Sequence, residues 1–203
     1  MSLSPRVIAL LGFGEAGSAI ARGLAAESGW RGPSRPGDNA PRRLIAIDTA
    51  LDKDARGTAL GKQARALDVA ISDRYTDALR EADLVICAVQ GEHALEAAKA
   101  AAPLLKKGAH YLDLCTVTGR MSDEDRVPIE AAGGRYIDIA VMGGFFKQGI
   151  KAPMLVADLG RPHEVRPDRH DARLEPSPCS GVQSGAKGPS LGSEEALEGH
   201  VVI

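Results

Sequence analysis

The chain has 203 residues, enough for one sizeable domain and a fragment of a second at about 100 to 200 residues per domain. Its formal net charge of −2 gives no broad basic field for nucleic acid, and its 3% of aromatic residues is too low for base-stacking platforms. No apolar run approaches the roughly 18 residues of a membrane span, and the N-terminus resembles no signal segment, so the sequence predicts a cytoplasmic protein. Cys87, Cys115 and Cys179 are odd in number and widely spaced, which indicates neither a disulfide framework nor a bound metal.

The most informative local pattern lies at residues 7–17. An apolar run at 7–11 predicts a buried strand, and a glycine-rich turn then enters a predicted helix at 15–27. A pyrophosphate must lie against bare backbone amides at a positive helix end. Gly12 permits the turn, Gly14 lets the pyrophosphate approach, and Gly17 lets the helix lie close to the strand. The pattern predicts a dinucleotide site formed by Gly12, Phe13, Gly14, Glu15, Ala16 and Gly17.

Short apolar runs then alternate with helical patterns, which is typical of parallel β-α-β units. Further strands are predicted at 44–48, 69–72, 84–89, 110–114, 136–140 and 153–157. Further helices are predicted at 75–82, 93–105 and 122–132, the last weakened by Pro128. Several strands are apolar throughout, as in sheets covered on both faces. We therefore expect an α/β fold with a Rossmann-type, doubly wound and mainly parallel sheet, interrupted by a surface loop at 28–43.

The second predicted strand ends on Asp48, which lies 31 residues after Gly17. That interval exceeds the usual value of about 20, and the loop at 28–43 accounts for the difference. A carboxylate here accepts hydrogen bonds from the ribose hydroxyls and repels a 2'-phosphate, which favours NAD over NADP. Thr49 and Arg56 leave room for a 2'-phosphate, so NADP stays open. We also expect Ala88 and Val89, at the end of the fourth predicted strand, to contact the cofactor.

Two segments follow the fifth and sixth predicted strands, at 113–119 and 138–144. Open α/β sheets bind ligands at the carboxyl ends of their strands. Gly143 and Gly144 present backbone amides without side-chain obstruction, which suits a substrate carboxylate. A purely structural turn is the alternative interpretation of the glycine pair.

The glycine turn and these two segments together resemble the β-hydroxyacid dehydrogenase family, which includes 3-hydroxyisobutyrate and 6-phosphogluconate dehydrogenases. Family members carry Asp-x-Ser and Asp-Ala-Pro-Val-Ser-Gly-Gly segments in this order, followed by a hairpin strand similar to residues 147–156 here. The resemblance covers residues 6–159 and implies an NAD(P)-dependent oxidation of a small hydroxy acid. It places Cys115, Thr116, Met142, Gly143 and Gly144 at the substrate.

This chain departs from that pattern at two positions. Cys115 and Met142 stand where the family has serines, which leaves the substrate open. Cys115 as a nucleophile has little support, because the sequence places no base beside it.

The resemblance also implies a helical C-terminal domain that carries a catalytic lysine and the dimer interface. We expect that domain to be absent and residues 160–203 to be a Pro-, Gly-, Ser- and Arg-rich tail, either disordered or read from a shifted frame. A homodimer is then expected only if the helical domain is present. Lys187 is the candidate catalytic lysine, although Gly188 and Pro189 would break the helix needed to aim it. A metal site in the tail is disfavoured, because a flexible segment holds no preset geometry for its histidines and aspartates.

Three function classes follow. The first is an NAD-linked oxidoreductase, and the second is a dinucleotide-binding remnant of such an enzyme that has lost turnover. The third is S-adenosylmethionine-dependent methyl transfer, which shares the strand-turn-helix start. The spacing of Gly17 and the segment at 138–144 disfavour it.

Overall fold

The computed structural model describes residues 5–26, 30 and 42–157. Its central element is one seven-stranded sheet. Its strands lie in the order β3-β2-β1-β4-β5-β6-β7. In chain order they are β1 (Val7–Leu11), β2 (Arg43–Ile47), β3 (Val69–Ser72), β4 (Leu84–Cys87), β5 (His110–Asp113), β6 (Arg135–Val141) and β7 (Met154–Ala157).

Five α-helices connect these strands within the described part of the chain. They are α1 (Glu15–Ala26), α2 (Ala55–Ala66), α3 (Ala94–Ala101), α4 (Gly119–Ala131) and the short α5 (Phe145–Gln148). Short 3-10 helices cover Asp77–Glu81, Gly91–His93, Ala102–Leu104 and Gly149–Lys151. No helix among the described residues is long and apolar enough to cross a membrane.

The first six strands of the chain are parallel, and β7 pairs antiparallel with β6. The strand order reverses between β1 and β4, since β2 and β3 lie on one side of β1 while β4 to β6 lie on the other. The predicted Rossmann-type, doubly wound sheet is therefore confirmed. In such sheets the ligand crevice opens at the carboxyl ends of the strands where the order reverses, which here is the end of β1.

Helices cover both faces of the sheet, which explains why β1 is apolar at every position. Ile8 and Leu10 pack in one core cluster, to which α1 and α2 contribute Leu24 and Leu60. The alternate residues of β1 pack in a second cluster with the small side chains of α3 and with Ile129 of α4.

The helix α2 was not predicted from the sequence. Its buried positions are Gly57, Leu60, Gly61 and Ala64, which have helical spacing but only one large apolar side chain. The available signal was Asp54, whose carboxylate accepts a hydrogen bond from the Gly57 N–H at 2.7 Å and caps the helix.

The helix predicted at 122–132 is present as α4, with Pro128 inside it. Two further expectations need correction. The helix predicted at 75–82 is only a 3-10 segment, Asp77–Glu81. Trp30, placed in a surface loop by the sequence, is 7% exposed and packs in the core, with its indole N–H donating to the Pro5 carbonyl at 2.9 Å. The other residues between 27 and 41 lie outside the described part of the chain.

Candidate functional site

The glycine turn lies between the carboxyl ends of β2 and β4. The Gly12 N–H donates to the Ile47 carbonyl at 2.8 Å, and the Ala88 N–H donates to the Leu11 carbonyl at 2.8 Å. Gly12 has a φ of +87°, and a Cβ added there would lie 2.7 Å from the Ala88 carbonyl oxygen. A side chain at this position would therefore be strained and would collide with the backbone after β4.

Gly14 and Gly17 have different surroundings. A Cβ added to Gly17 would collide with the carbonyl oxygen of Gly12, so this glycine lets α1 begin directly on the turn. A Cβ added to Gly14 would meet only the Arg56 guanidinium, at 3.7 Å. The surface over Gly14 is therefore open to a ligand, while the surface over Gly17 is filled by the protein itself.

A cavity of about 700 Å³ opens beside the turn, at the carboxyl ends of β1, β2 and β4. It is lined by Gly12, Gly14, Glu15, Ala16, Ile47, Asp48, Thr49, Ala50, Arg56, Tyr75, Ala88, Val89, Gln90, His93, Glu96, Ala97 and Ala100. Most residues predicted to bind the cofactor lie in this lining. Phe13 and Gly17 do not, and the Phe13 side chain is completely buried in the core.

Asp48 is half-buried at the end of β2, and both of its carboxylate oxygens accept backbone hydrogen bonds. Oδ2 accepts from the Phe13 N–H at 2.8 Å, and Oδ1 accepts from the Ala50 N–H at 2.9 Å. Each carboxylate oxygen has two acceptor positions, so the side chain keeps capacity for ribose hydroxyls. Asp48 thus joins the turn to the loop after β2 from inside the cavity.

Several polar lining residues were missed by sequence reasoning. Tyr75 follows β3, and burial, followed by the nearby Cys87, Cys115 and Glu96, raises its pKa to about 12. His93 precedes α3, with its two ring nitrogens 3.6 Å from carboxylate oxygens of Glu92 and Glu96. Both residues stand just after strand ends, which was the only signal the sequence offered.

A second polar group lies at the end of β5 and in the middle of the neighbouring strand β6. Asp113 and Asp138 are register partners on these neighbouring strands. The Tyr136 hydroxyl donates to Asp113 Oδ2 at 2.8 Å, and the Ser122 hydroxyl of α4 donates to Asp138 Oδ2 at 2.8 Å. The two hydroxyl oxygens are 3.1 Å apart. Through Ser122 and Tyr136, α4 fixes the starting points of both predicted substrate segments.

The predicted substrate residues lie at this edge, outside the lining of the cavity. Thr116, Met142, Gly143 and Gly144 are exposed, and Met142 is 62% exposed. A Cβ added to Gly144 would meet nothing within 4 Å, whereas one added to Gly143 would collide with the Gln148 side chain. The openness at Gly144 leaves its backbone accessible, as a carboxylate ligand would require. The expectation of a glycine pair without side-chain obstruction is therefore wrong for Gly143.

Cys115 has different surroundings from the other predicted substrate residues. Its side chain is buried, with its sulfur 3.6 Å from the Cys87 sulfur. The hydrogen bond between the two thiols, followed by burial, raises the pKa of Cys115 well above its usual range. The thiol therefore faces the core and not a substrate, which agrees with a packing role.

Cys87, Asp113 and Cys115 also form the one group of potential metal ligands found among the described residues, with ligand atoms within 4.8 Å of one another. Both oxygens of Asp113 already accept hydrogen bonds, from the Cys115 N–H at 2.9 Å and from the Tyr136 hydroxyl. These three residues therefore form a buried cluster in which the Asp113 carboxylate already has hydrogen-bond partners within the protein.

Lys187, the candidate catalytic lysine, lies outside the described residues, as does the whole tail at 160–203. The roles predicted for that segment therefore stay predictions.

Comparison with known proteins identifies the family. The sequence profile of the family described as NADP oxidoreductase, coenzyme F420-dependent, matches residues 7–115. A search of curated proteins finds no match. Among solved structures, a conserved hypothetical protein from Sinorhizobium meliloti 1021 is 30% identical with a TM-score of 0.63, over 74% of this chain and 46% of that one.

Two further solved structures share the fold. Mycobacterium tuberculosis 3-hydroxyisobutyrate dehydrogenase, with L-serine, is 20% identical with a TM-score of 0.56, over 74% of this chain and 44% of that one. A variant imine reductase from Myxococcus stipitatus, in complex with NAD+, is 15% identical with a TM-score of 0.56, over 74% of this chain and 46% of that one. The chain spans less than half the length of each of these three structures.

The predicted likeness to hydroxyacid dehydrogenases is thus confirmed for the fold of this domain. Since the family profile covers more than half of the chain and includes the glycine turn, the chain belongs to the family of NADP oxidoreductases described as coenzyme F420-dependent, and its Rossmann domain binds NAD(P).

Proposed function

We propose that this chain supplies the cofactor domain of a dehydrogenase that oxidises a secondary alcohol of a small hydroxy acid. The observation that carries the proposal is the cavity of about 700 Å³ at the glycine turn, with the open backbone of Gly14 on one side and Asp48 on the other. The order of the two substrate segments and the likeness to 3-hydroxyisobutyrate dehydrogenase support a small hydroxy acid as the substrate.

The described residues fit an NAD(P) cofactor. The backbone amides at the start of α1 bind the pyrophosphate, because the helix end carries positive partial charge and Gly14 leaves it uncovered. Asp48 accepts hydrogen bonds from the adenosine ribose, and Ala88 and Val89 close the β4 side of the cavity. A nicotinamide held there would supply the acceptor for the hydride that leaves the alcohol carbon.

Two further roles belong to the substrate side. The exposed backbone of Gly144 donates a hydrogen bond to the substrate carboxylate, and Thr116 offers a hydroxyl. Gly143 joins it only if the Gln148 side chain, which lies against Gly143, moves aside. As the carbonyl forms, the hydroxyl proton leaves to a general base, a contribution of roughly 10² to 10⁴ in rate. We assign that role to a lysine, with Lys187 as the candidate in this sequence, because no lysine lies among the described cavity residues.

The experiment is a panel of 3-hydroxy acids assayed for NADH and NADPH formation, beside calorimetric binding of both cofactors. Turnover of a 3-hydroxy acid that is lost in Gly14→Val supports the proposal. Binding of the cofactor without turnover of any member of the panel would instead assign the chain to the dinucleotide-binding remnants.

A further inference from the structure

Arg56 lies over the open face of the glycine turn. Its guanidinium is 3.7 Å from the position that a Cβ of Gly14 would take, on the cavity side of the turn. The side chain is exposed and makes no ion pair or side-chain hydrogen bond with another described residue. It therefore holds a position next to the phosphate-binding backbone, and no partner among the described residues explains that position.

Arg56 also matters for the balance of charge in the cavity lining. Three of the described lining residues are acidic, Glu15, Asp48 and Glu96. Arg56 is the only lysine or arginine among them. Without it, a pyrophosphate would enter a site whose fixed side-chain charges all repel it, and the partial charge at one helix end is equivalent to only about half an elementary charge.

The placement of Arg56 in its own helix is also unusual. It occupies the first turn of α2, where the helix dipole disfavours a cation. That turn is packed tightly on the loop after β2, since a Cβ added to Gly57 would collide with the Ala50 carbonyl. The same loop is held by Asp48, which also holds the glycine turn. Arg56 and the turn are thus connected by a short chain of contacts that fixes one relative to the other.

We propose that Arg56 is a ligand of the cofactor pyrophosphate, acting beside the backbone amides of the glycine turn. Arginine suits this role, because its fork of donors matches phosphate oxygens and it stays charged at every physiological pH. Because the pyrophosphate is common to NADH and NADPH, Arg56 strengthens both without selecting between them. The inference rests on NAD(P) binding and not on the proposed substrate.

The test compares Arg56→Gln with wild type by calorimetric titration of NADH, NADPH and adenosine. The matched control is Arg65→Gln, an exposed arginine on the last turn of the same helix. Loss of a charge-assisted contact to phosphate predicts about tenfold or more weaker binding of both NADH and NADPH. The ratio of the two affinities should stay the same, adenosine binding should not change, and Arg65→Gln should match wild type.

Two results would overturn the inference. Unchanged NADH affinity in Arg56→Gln would show that the guanidinium does not reach the pyrophosphate, and a loss confined to NADPH would move its contact to the 2'-phosphate. Arg56→Lys keeps the charge without the fork of donors, so its NADH affinity should lie between those of Arg56→Gln and wild type, which separates loss of the contact from damage to α2. If wild type bound neither cofactor, the family assignment of the site would fail, and that result differs from equal binding by wild type and variant.

Discussion

The carboxylate of Asp48 accepts a hydrogen bond from the backbone N–H of Phe13, with 2.8 Å between the nitrogen and Oδ2. Its other oxygen accepts from the Ala50 N–H at 2.9 Å. One side chain thus connects the turn after β1 to the loop after β2, and it does so on the wall of the cofactor cavity. Asp48, which the sequence suggested as the residue that favours NAD over NADP, also fixes the positions of these two loops by its hydrogen bonds.

Replacement of Asp48 by serine should therefore have two effects. Without the negative charge, a 2'-phosphate is no longer repelled, so the affinity for NADPH should rise relative to NADH by several-fold. Loss of two backbone hydrogen bonds to a charged group should also lower the free energy of unfolding by about 1 to 3 kcal/mol. Calorimetry with both cofactors measures the first effect, and thermal melting measures the second. An unchanged NADH-to-NADPH ratio would move the determinant of cofactor choice elsewhere.

A second prediction concerns Asp125, which is 1% exposed and whose Oδ2 has no hydrogen-bond partner within the described part of the chain. Burial, followed by the charges of Asp113, Glu124 and Asp138, raises its pKa from 3.8 to about 6. Because the folded state holds the proton more tightly than the unfolded state, this group's contribution to stability is fully present below pH 4 and is lost as pH rises through 6.

Asp125→Asn keeps the shape of the side chain and removes the buried charge. It should be more stable than wild type at pH 7.5, by up to about 3 kcal/mol for a shift of this size, and the difference should shrink toward pH 4. Melting curves of both proteins from pH 4 to pH 8 provide the measurement. A variant that is less stable by the same amount at every pH would show that the carboxylate makes a stabilising contact instead.

The thiol pair leads to a third prediction. Cys87 and Cys115 are both buried, and the pKa of Cys115 is held well above its usual range by its hydrogen bond to Cys87 and by burial. Since the thiolate is the reactive form, neither residue should react with a thiol reagent at pH 8 unless the protein is unfolded. Mass spectrometry of labelled peptides measures this residue by residue. Rapid labelling of Cys115 in the native protein would contradict its burial and would support its predicted role as a substrate-binding residue.

Much of this fold follows from local sequence patterns. The strands β1, β3, β4 and β5 begin at the predicted residue, and the glycine turn stands between a strand and a helix as its backbone requires. The helix α2 was not predicted, because it buries mainly small residues and its sequence lacks the large apolar side chains that mark a core-facing helix. The burial of Trp30 was not predicted, because the prolines and glycines around it are typical of a surface loop.

The site likewise contains residues that the sequence predicted and residues that it did not. Asp48 and the turn glycines carry a signal in their spacing, and the sequence named Arg56 only in connection with a 2'-phosphate. Tyr75 and His93 reach the cavity because parallel strands bring their ends to one edge. The contact between the Cys115 and Cys87 sulfurs likewise depends on the pairing of β4 with β5. Such relationships arise from the tertiary fold and leave no trace within a short window of sequence.

The central claim is that a dinucleotide lies against the backbone of Gly14, and calorimetric titration of Gly14→Val with NADH tests it most directly. A Cβ at this position meets only the Arg56 guanidinium, so the variant should fold with a melting temperature close to that of wild type. Its side chain would occupy the place of the pyrophosphate, so NADH affinity should fall at least about tenfold. Gly17→Val, in contrast, should lower the melting temperature, because its Cβ collides with the Gly12 carbonyl. Equal NADH affinity for wild type and a folded Gly14→Val would contradict the account.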